Sequence, residues 1–177
     1  MKSYLICSDI HGSIDSAKKI VDFFVENKID KLIILGDILY HGPRNEIPKS
    51  YNPKEVIKVL NGIKEKIICI KGNCDAEVDE MVLDFKLFSK KTIKYQDKKI
   101  CLVHGHHLDK MDLNDFDIVF YGHTHVSKVD KIKNAKFINP GSVTLPKENT
   151  KRSFIVLHND MCIFVDINGN IIEKHIL

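Results

Sequence analysis

The sequence predicts an α/β fold in which two packed β-sheets are flanked by helices. Three observations carry this prediction. The first half alternates short apolar runs with apolar stripes at helical spacing, the pattern of β-α-β units. The second half consists of short apolar runs separated by tight polar turns, the texture of hairpins. Strand after strand ends in Gly, Asp, Asn or His, and in an open α/β sheet ligands gather beyond the carboxyl ends of parallel strands.

Residues 3–8 (SYLICS) form a near-continuous apolar run, as in a strand covered on both faces. The run exits into Asp9, His11 and Gly12. Ser13 is placed to cap a helix whose stripe is Ile14, Ala17, Ile20, Val21, Phe24 and Val25. Residues 31–35 are the second strand and end at Gly36 and Asp37. The two strands are therefore expected to be parallel, joined by a right-handed crossover. Residues 38–52 read as a loop carrying His41, Gly42, Pro43 and Pro48. Pro53 suits the first turn of a second helix with Val56, Ile57, Leu60 and Ile63 on its apolar face. Residues 66–70 are the third strand, followed by Gly72, Asn73, Cys74 and Asp75.

Residues 82–88, 92–96 and 99–103 read as short strands, the last two joined near Asp97. They lead into His104, Gly105, His106 and His107. Residues 108–115 have weak helical character. Residues 117–121 are an apolar strand before Gly122, His123, Thr124 and His125. Residues 126–131 and 135–138 pair as a hairpin around Asn134, and residues 139–142 (NPGS) read as a loop. Residues 153–158, 162–167 and 171–175 form a β-meander with turns at 159–160 and 168–169. With no linker, repeat or low-complexity segment, a single domain over residues 1–177 is expected.

Composition excludes several classes. At 44% hydrophobic and 29% charged, the chain has the balance of a globular protein. A net charge of +3 is too small to demand a nucleic-acid partner. The densest basic grouping, Lys90, Lys91, Lys98 and Lys99, reads as a solvated hairpin. No apolar run approaches bilayer length, and residues 1–10 carry no signal-peptide pattern, so no membrane partner is expected. Five cysteines without CxxC spacing indicate neither a disulfide framework nor a zinc finger. Cys7, Cys69, Cys101 and Cys162 lie in apolar runs and read as buried small hydrophobes. A cytoplasmic location follows from this cysteine usage. The apolar strands of the meander offer an edge for a homo-oligomer.

Five strand exits carry metal-type side chains: Asp9 with His11, Asp37, Asn73, His104, and His123 with His125. Four imidazoles, two carboxylates and an amide exceed what one ion needs, and an aspartate can bridge two ions through its two oxygens. Two divalent ions set against two carboxylates leave such a centre net positive, which suits a phosphate ester. Mixed nitrogen and oxygen donors favour a transition ion over Ca²⁺ or Mg²⁺. Mn²⁺ is expected first, with Ni²⁺, Fe²⁺, Co²⁺ and Zn²⁺ as alternatives.

The ordered set DxH, GD, GN, H and GHxH, with NPGS downstream, resembles the calcineurin-like metallophosphoesterase superfamily from Asp9 to Ser142. The short length and the GNCD motif, in which Cys74 stands where many members have histidine, resemble its YfcE-type phosphodiesterase branch. The resemblance implies a four-layer αββα sandwich of two mixed β-sheets flanked by helices. It implies that Asp9, His11, Asp37 and His125 hold one metal, that Asp37, Asn73, His104 and His123 hold a second, and that Asp37 bridges them. It further implies hydrolysis of small phosphodiesters by in-line attack of a metal-bridging hydroxide, with Asp37, Asn73, Cys74 and His104 as catalytic residues. A thiol is a poorer proton donor at neutral pH than an imidazolium, so leaving groups that need little protonation are expected to be favoured. Asp75 and His106 are the alternative proton donors.

His106, His107 and His41 are candidates for contact with substrate or ligands, and Asn139 and Ser142 for the site edge. His158 and His175 read as structural. Two other functions fit the same motifs: a phosphomonoesterase or nucleotidase on the same dimetal centre, and a non-catalytic scaffold. The second is raised by the retromer subunit of similar fold, and it predicts missing ligands, whereas all seven positions are filled here.

Overall fold

The computed structural model describes residues 2–177. Its strands are β1 (Tyr4–Cys7), β2 (Lys31–Ile34), β3 (Ile67–Ile70), β4 (Leu87–Phe88), β5 (Lys91–Tyr95), β6 (Lys98–Leu102), β7 (Ile118–Phe120), β8 (Ser127–Ile132), β9 (Ala135–Pro140), β10 (Ser153–His158), β11 (Met161–Asp166) and β12 (Ile171–Ile176). The helices are α1 (Ile14–Glu26), α2 (Pro53–Asn61) and the short α3 (Asp79–Val82).

Two mixed sheets result. The first runs β12-β11-β10-β1-β2-β3-β4, and the second runs β5-β6-β7-β9-β8. In the first, β1 to β4 are parallel and β10 joins β1 antiparallel. In the second, β6, β7 and β9 are parallel, with antiparallel strands at both edges. The parallel core of the second sheet was not legible in its hairpin-like sequence.

Side-chain alternation sorts the core into layers. Leu5 and Cys7 of β1 face α1 and α2, packing with Ala17, Ile20, Phe24, Val56 and Leu60. Tyr4 and Ile6 point the other way and meet Ile100, Leu102, Ile118 and Phe120 of the second sheet. Fully burying one such side chain contributes about 1.5–3 kcal/mol, so this middle layer fixes how the sheets sit on each other. The outer face of the second sheet is covered by Leu113 and Phe116, packed on Cys101, Val103 and Val119.

The cap anticipated at Ser13 is present, and Asn52, read only as the end of a loop, caps the helix that begins at Pro53. Ser13 Oγ accepts from the Ser16 amide at 3.3 Å, and Asn52 Oδ1 accepts from the Glu55 amide at 3.3 Å. Cys7, Cys69, Cys101 and Cys162 are buried, as expected.

Three local expectations are corrected. Residues 82–88 are not one strand: α3 ends at Val82, and pairing begins only at Leu87. Val82, which supplied the first apolar residue of that reading, is exposed. Residues 108–115 hold only a single 3₁₀ turn at Leu108–Lys110, because Asp112 Oδ1 accepts from the Asn114 amide at 3.1 Å and turns the chain. Asn139 and Pro140 belong to β9 rather than to a loop. Pro140 lies beyond the last pair with β7, where the ladder no longer calls on its missing N–H. The basic hairpin is also more than solvated charge: Lys91 Nζ lies 3.9 Å from the centre of the Phe88 ring, and Lys90 and Lys99 lie 4.9 Å from that of Phe116.

Candidate metal centre

The five strand exits converge on one side of the molecule, beyond the carboxyl ends of β1, β2, β3, β6 and β7. All five are parallel strands of their sheets. The exits of β1 and β2 remain tied together: the amides of Asp9, His11 and Gly12 donate to the carbonyls of Gly36, Asp37 and Ile38 at 3.1, 2.9 and 2.8 Å. The backbone at Asp9, His11, Asp37, His123 and His125 has φ between 49° and 67°, left-handed in every case. This region is unfavourable for non-glycine residues, and such conformations cluster at functional sites. Asn73 and His104 do not share it. Among the glycines of these exits, Gly72 and Gly122 face the centre directly: a Cβ on Gly72 would overlap the Asp37 carboxylate, and one on Gly122 would overlap Ser8 Oγ.

Donor atoms fall into three overlapping groups, each drawn together within 4.8 Å: Asp9, His11 and His125; Asp37, His104 and His123; and His11, Asp37 and Cys74. Asp37 Oδ2 lies 3.8 Å from His11 Nε2 and 3.4 Å from His104 Nε2, between the first two groups. Asn73 joins the second, its Oδ1 lying 3.0 Å from His104 Nε2. All seven sequence-predicted metal-type residues are thus brought together.

Three of the rings are oriented from behind. Nδ1 of His11 donates to Tyr40 O at 2.8 Å, that of His104 to Leu35 O at 2.6 Å, and that of His125 to Leu145 O at 2.7 Å. A carbonyl can only accept, so Nδ1 carries the hydrogen on each ring and Nε2 is turned to the centre, as metal-binding histidines are held.

The donor set fits metal ions. His11 Nε2 and His125 Nε2 face each other at 3.1 Å, an approach that only a shared positive charge, a proton or a metal ion, can reconcile. Asp9 Oδ1 lies 3.3 Å from His125 Nε2 and 3.7 Å from His11 Nε2; it is buried and has no hydrogen-bond donor among the described residues. A buried carboxylate oxygen without a donor is costly unless a cation faces it.

Charge coupling follows the same geometry. Burial alone would raise the Asp37 carboxyl, but His104, the Cys74 amide and His11 outweigh it and hold it well below the usual carboxylate range. Burial would lower His104; the hydrogen bond to Asp37 and the charges of Asp9 and Asp37 instead push it up to about 9. Cys74 is raised as well but is thereby held neutral, with burial and then the Asp37 carboxylate pushing its thiol up to about 12.

Several residues take roles that differ from expectation. Asp75 is not a free proton donor. Its carboxylate accepts from the amides of Asp37, Ile38 and Gly72 at 2.9, 2.8 and 2.7 Å, and burial pushes it up to about 6 against the pull of those donors. Asn139 and Ser142 do not line an edge but are fully buried behind the centre. Asn139 Nδ2 donates to Gly122 O and Thr124 Oγ1 at 2.8 and 3.0 Å, fixing the turn that carries His123 and His125. Ser142 Oγ donates to Asp9 O at 2.8 Å and accepts from the amides of Thr144 and Leu145. His106 is exposed beside the second group, its ring centre 5.5 Å from that of His104, and the His107 ring lies against it, tilted by 50° with its centre 4.2 Å away. His41 packs against Tyr40 and Tyr51. His158 is exposed, and His175 lies 3.1 Å from Glu173, both remote from the centre as expected.

The centre opens into a cleft of about 720 Å³ whose walls include Asp37, Tyr40, Arg44, Asn73, Cys74, His123, His125 and Lys147. Arg44 and Lys147 were missed in the sequence. Both sit in loops after a motif, and only their place near GD and NPGS could have drawn attention to them.

A two-layered β-sandwich carrying a histidine- and aspartate-rich centre at its strand ends defines a class of metal-dependent phosphoesterases. The family model of the calcineurin-like phosphoesterase superfamily domain matches residues 1–161, and the chain belongs to that superfamily. It is 36% identical over 172 residues to phosphodiesterase YfcE of Escherichia coli K12, covering 95% of this chain and 94% of the relative. The solved structure of the E. coli phosphoesterase YfcE superposes with a TM-score of 0.90 at 32% identity, with 98% of each chain covered. Vacuolar protein sorting 29 of Cryptosporidium parvum shares the fold alone, at 18% identity and a TM-score of 0.67 over 99% of this chain and 98% of that one.

Proposed function

We propose that residues 1–177 form one metallophosphoesterase domain that hydrolyses small phosphodiesters at a two-metal centre. Asp9, His11, Asp37 and His125 would hold the first ion, and Asp37, Asn73, His104 and His123 the second. The observation that carries this reading is the position of Asp37 Oδ2, within 3.8 Å of donors from both groups, where one carboxylate can serve two ions. Mn²⁺ is the preferred ion, since oxygen and imidazole donors dominate. When bound, the two ions supply positive charge for the phosphoryl oxygens and lower the pKa of water towards ~7.

The chain's own residues do the rest. Asp37 and the three carbonyl-anchored imidazoles hold the donor geometry before substrate arrives. Asn73, exposed on the cleft wall, is placed to donate from Nδ2 to a phosphoryl oxygen. Arg44 and Lys147 make the cleft attractive to an anionic ester. The Cys74 thiol, raised by burial and Asp37, supplies little acid assistance, which favours aryl over alkyl leaving groups. The identity to a protein named a phosphodiesterase supports a diester rather than a monoester. Four of the five cysteines are buried and all are free, which supports the reducing cytoplasm as the compartment. No helix among the described residues is long and apolar enough to cross a membrane.

The test is hydrolysis of an aryl diester, an alkyl diester and an aryl monoester, each with Mn²⁺, Ni²⁺, Co²⁺ and Zn²⁺. The aryl diester with Mn²⁺ is expected to be fastest. A monoester turned over faster than the diester would replace this reading with the monoesterase, and a chain that binds no metal would leave only the scaffold.

A further inference from the structure

The third donor group joins His11 and Asp37, which the two-ion scheme uses, to Cys74, which it does not. Its three donor atoms lie within 4.8 Å of one another. Donors sharing one tetrahedral ion at bond lengths of about 2.0–2.3 Å sit roughly 3–4 Å apart, so a small movement of the cysteine side chain closes the set. The thiol is aimed by its own backbone, since the Cys74 amide donates to Asp37 Oδ1 at 2.9 Å. Gly42 leaves it room, because a Cβ there would stand 3.1 Å from Cys74 Sγ. The neighbouring donor group, Asp9 with His11 and His125, shares His11 with this one, and its buried Asp9 Oδ1 has no hydrogen-bond donor among the described residues, so the His11 side of the set already faces a place for a cation.

We propose that Cys74 Sγ is a direct donor to a thiophilic divalent ion held by His11 and Asp37. This rests on the two-metal reading. On binding, the S–H bond breaks heterolytically, its proton passes to water, and the sulfur lone pair goes to the ion; nothing is oxidised or reduced. With Mn²⁺, which has little affinity for sulfur, the thiol keeps its proton. With Co²⁺, Zn²⁺ or Cd²⁺ the thiolate is recruited, and the ion is drawn to the cleft wall that Cys74 lines. The replacement of a family histidine by cysteine thereby sets metal preference as well as acid assistance.

The experiment is Co²⁺ loading of the metal-free full chain, followed by absorption spectroscopy. Visible ligand-field bands report the ion, and a near-ultraviolet charge-transfer band reports thiolate coordination. The wild type is expected to show both, and Cys74→Ser and Cys74→Ala to keep the visible bands and lose the ultraviolet one. Cd²⁺ affinity should fall by about tenfold or more in both variants, while Mn²⁺ affinity stays within about threefold. Visible bands without the ultraviolet band in the wild type, or an ultraviolet band that survives both substitutions, overturn the role of Cys74 and leave the two-metal reading standing. Absence of the visible bands in the wild type overturns both.

Discussion

The two ends of the metal centre are built to different standards. Asp9, His11 and His125 are all at most 2% exposed, and both imidazoles are locked by backbone carbonyls. At the other end His104 is equally buried and locked, but Asn73 is exposed and His123 is half-exposed. The recorded hydrogen bond of His123 runs through its backbone amide, to Asp9 Oδ2 at 3.0 Å, and not through its ring. A ligand that must be ordered on binding gives up conformational entropy that a locked ligand has already lost. On the two-ion reading the first position should therefore be the tighter one, and the second should exchange its ion more readily and meet the substrate.

Asp37 belongs to both ends, so Asp37→Ala should give the largest effect. Metal content should fall for both ions, and kcat should drop by roughly 10³-fold or more. Full activity in this variant would dissolve the scheme. Next come the single-end variants. His125→Ala should lose the first ion, whereas Asn73→Ala should weaken the second by about 10–100-fold while leaving the melt of the metal-free chain unchanged; elemental analysis after dialysis separates them. Equal losses from both would remove the asymmetry.

Chelator removal of metal should proceed in two phases, the second position emptying first. Full removal should lower the melting temperature, since an ion at about 100 times its Kd stabilises by about 2.7 kcal/mol. A single phase with no change in the melt would mean that the two ends are equivalent.

Smaller effects come from behind the centre. Asp75→Asn replaces one acceptor oxygen with an NH₂ that faces backbone N–H groups, and should cost about 2–3 kcal/mol of stability by denaturant unfolding. Because Asp75 ties Gly72 to Asp37, the second position should loosen more than the first. Ser142→Ala should cost about 1 kcal/mol and weaken mainly the first position, through Asp9.

The first half of the fold was readable because local and long-range signals agree there. The cap at Ser13, the proline that opens α2, the stripe of α1 and the doubly buried β1 each point to the same β-α-β order. The second half was read only as hairpins, because β6 and β7 are parallel neighbours joined by residues 103–117, a connection with almost no periodic signal. The donors were legible because DxH, GD, GN, H and GHxH occur in order, each after an apolar run. Their supports were not. Nothing in the letters distinguishes the Asn139 that holds the GHTH turn from a loop asparagine, or Asp75 as a backbone acceptor from Asp75 as an acid. These roles depend on which amides the folded chain leaves without partners.

On the two-ion reading each position would draw donors from both sheets: the first would take Asp9, His11 and Asp37 from the ends of β1 and β2 and His125 from beyond β7, and the second would likewise join Asp37 and Asn73 to His104 and His123. Neither sheet alone would offer either full donor set. A chain with only the first sheet formed would still present His11, Asp37 and Cys74, enough to catch a thiophilic ion. Filling of both positions would thus serve as an inspection of the finished fold, because the full sets exist only where the two sheets are correctly docked.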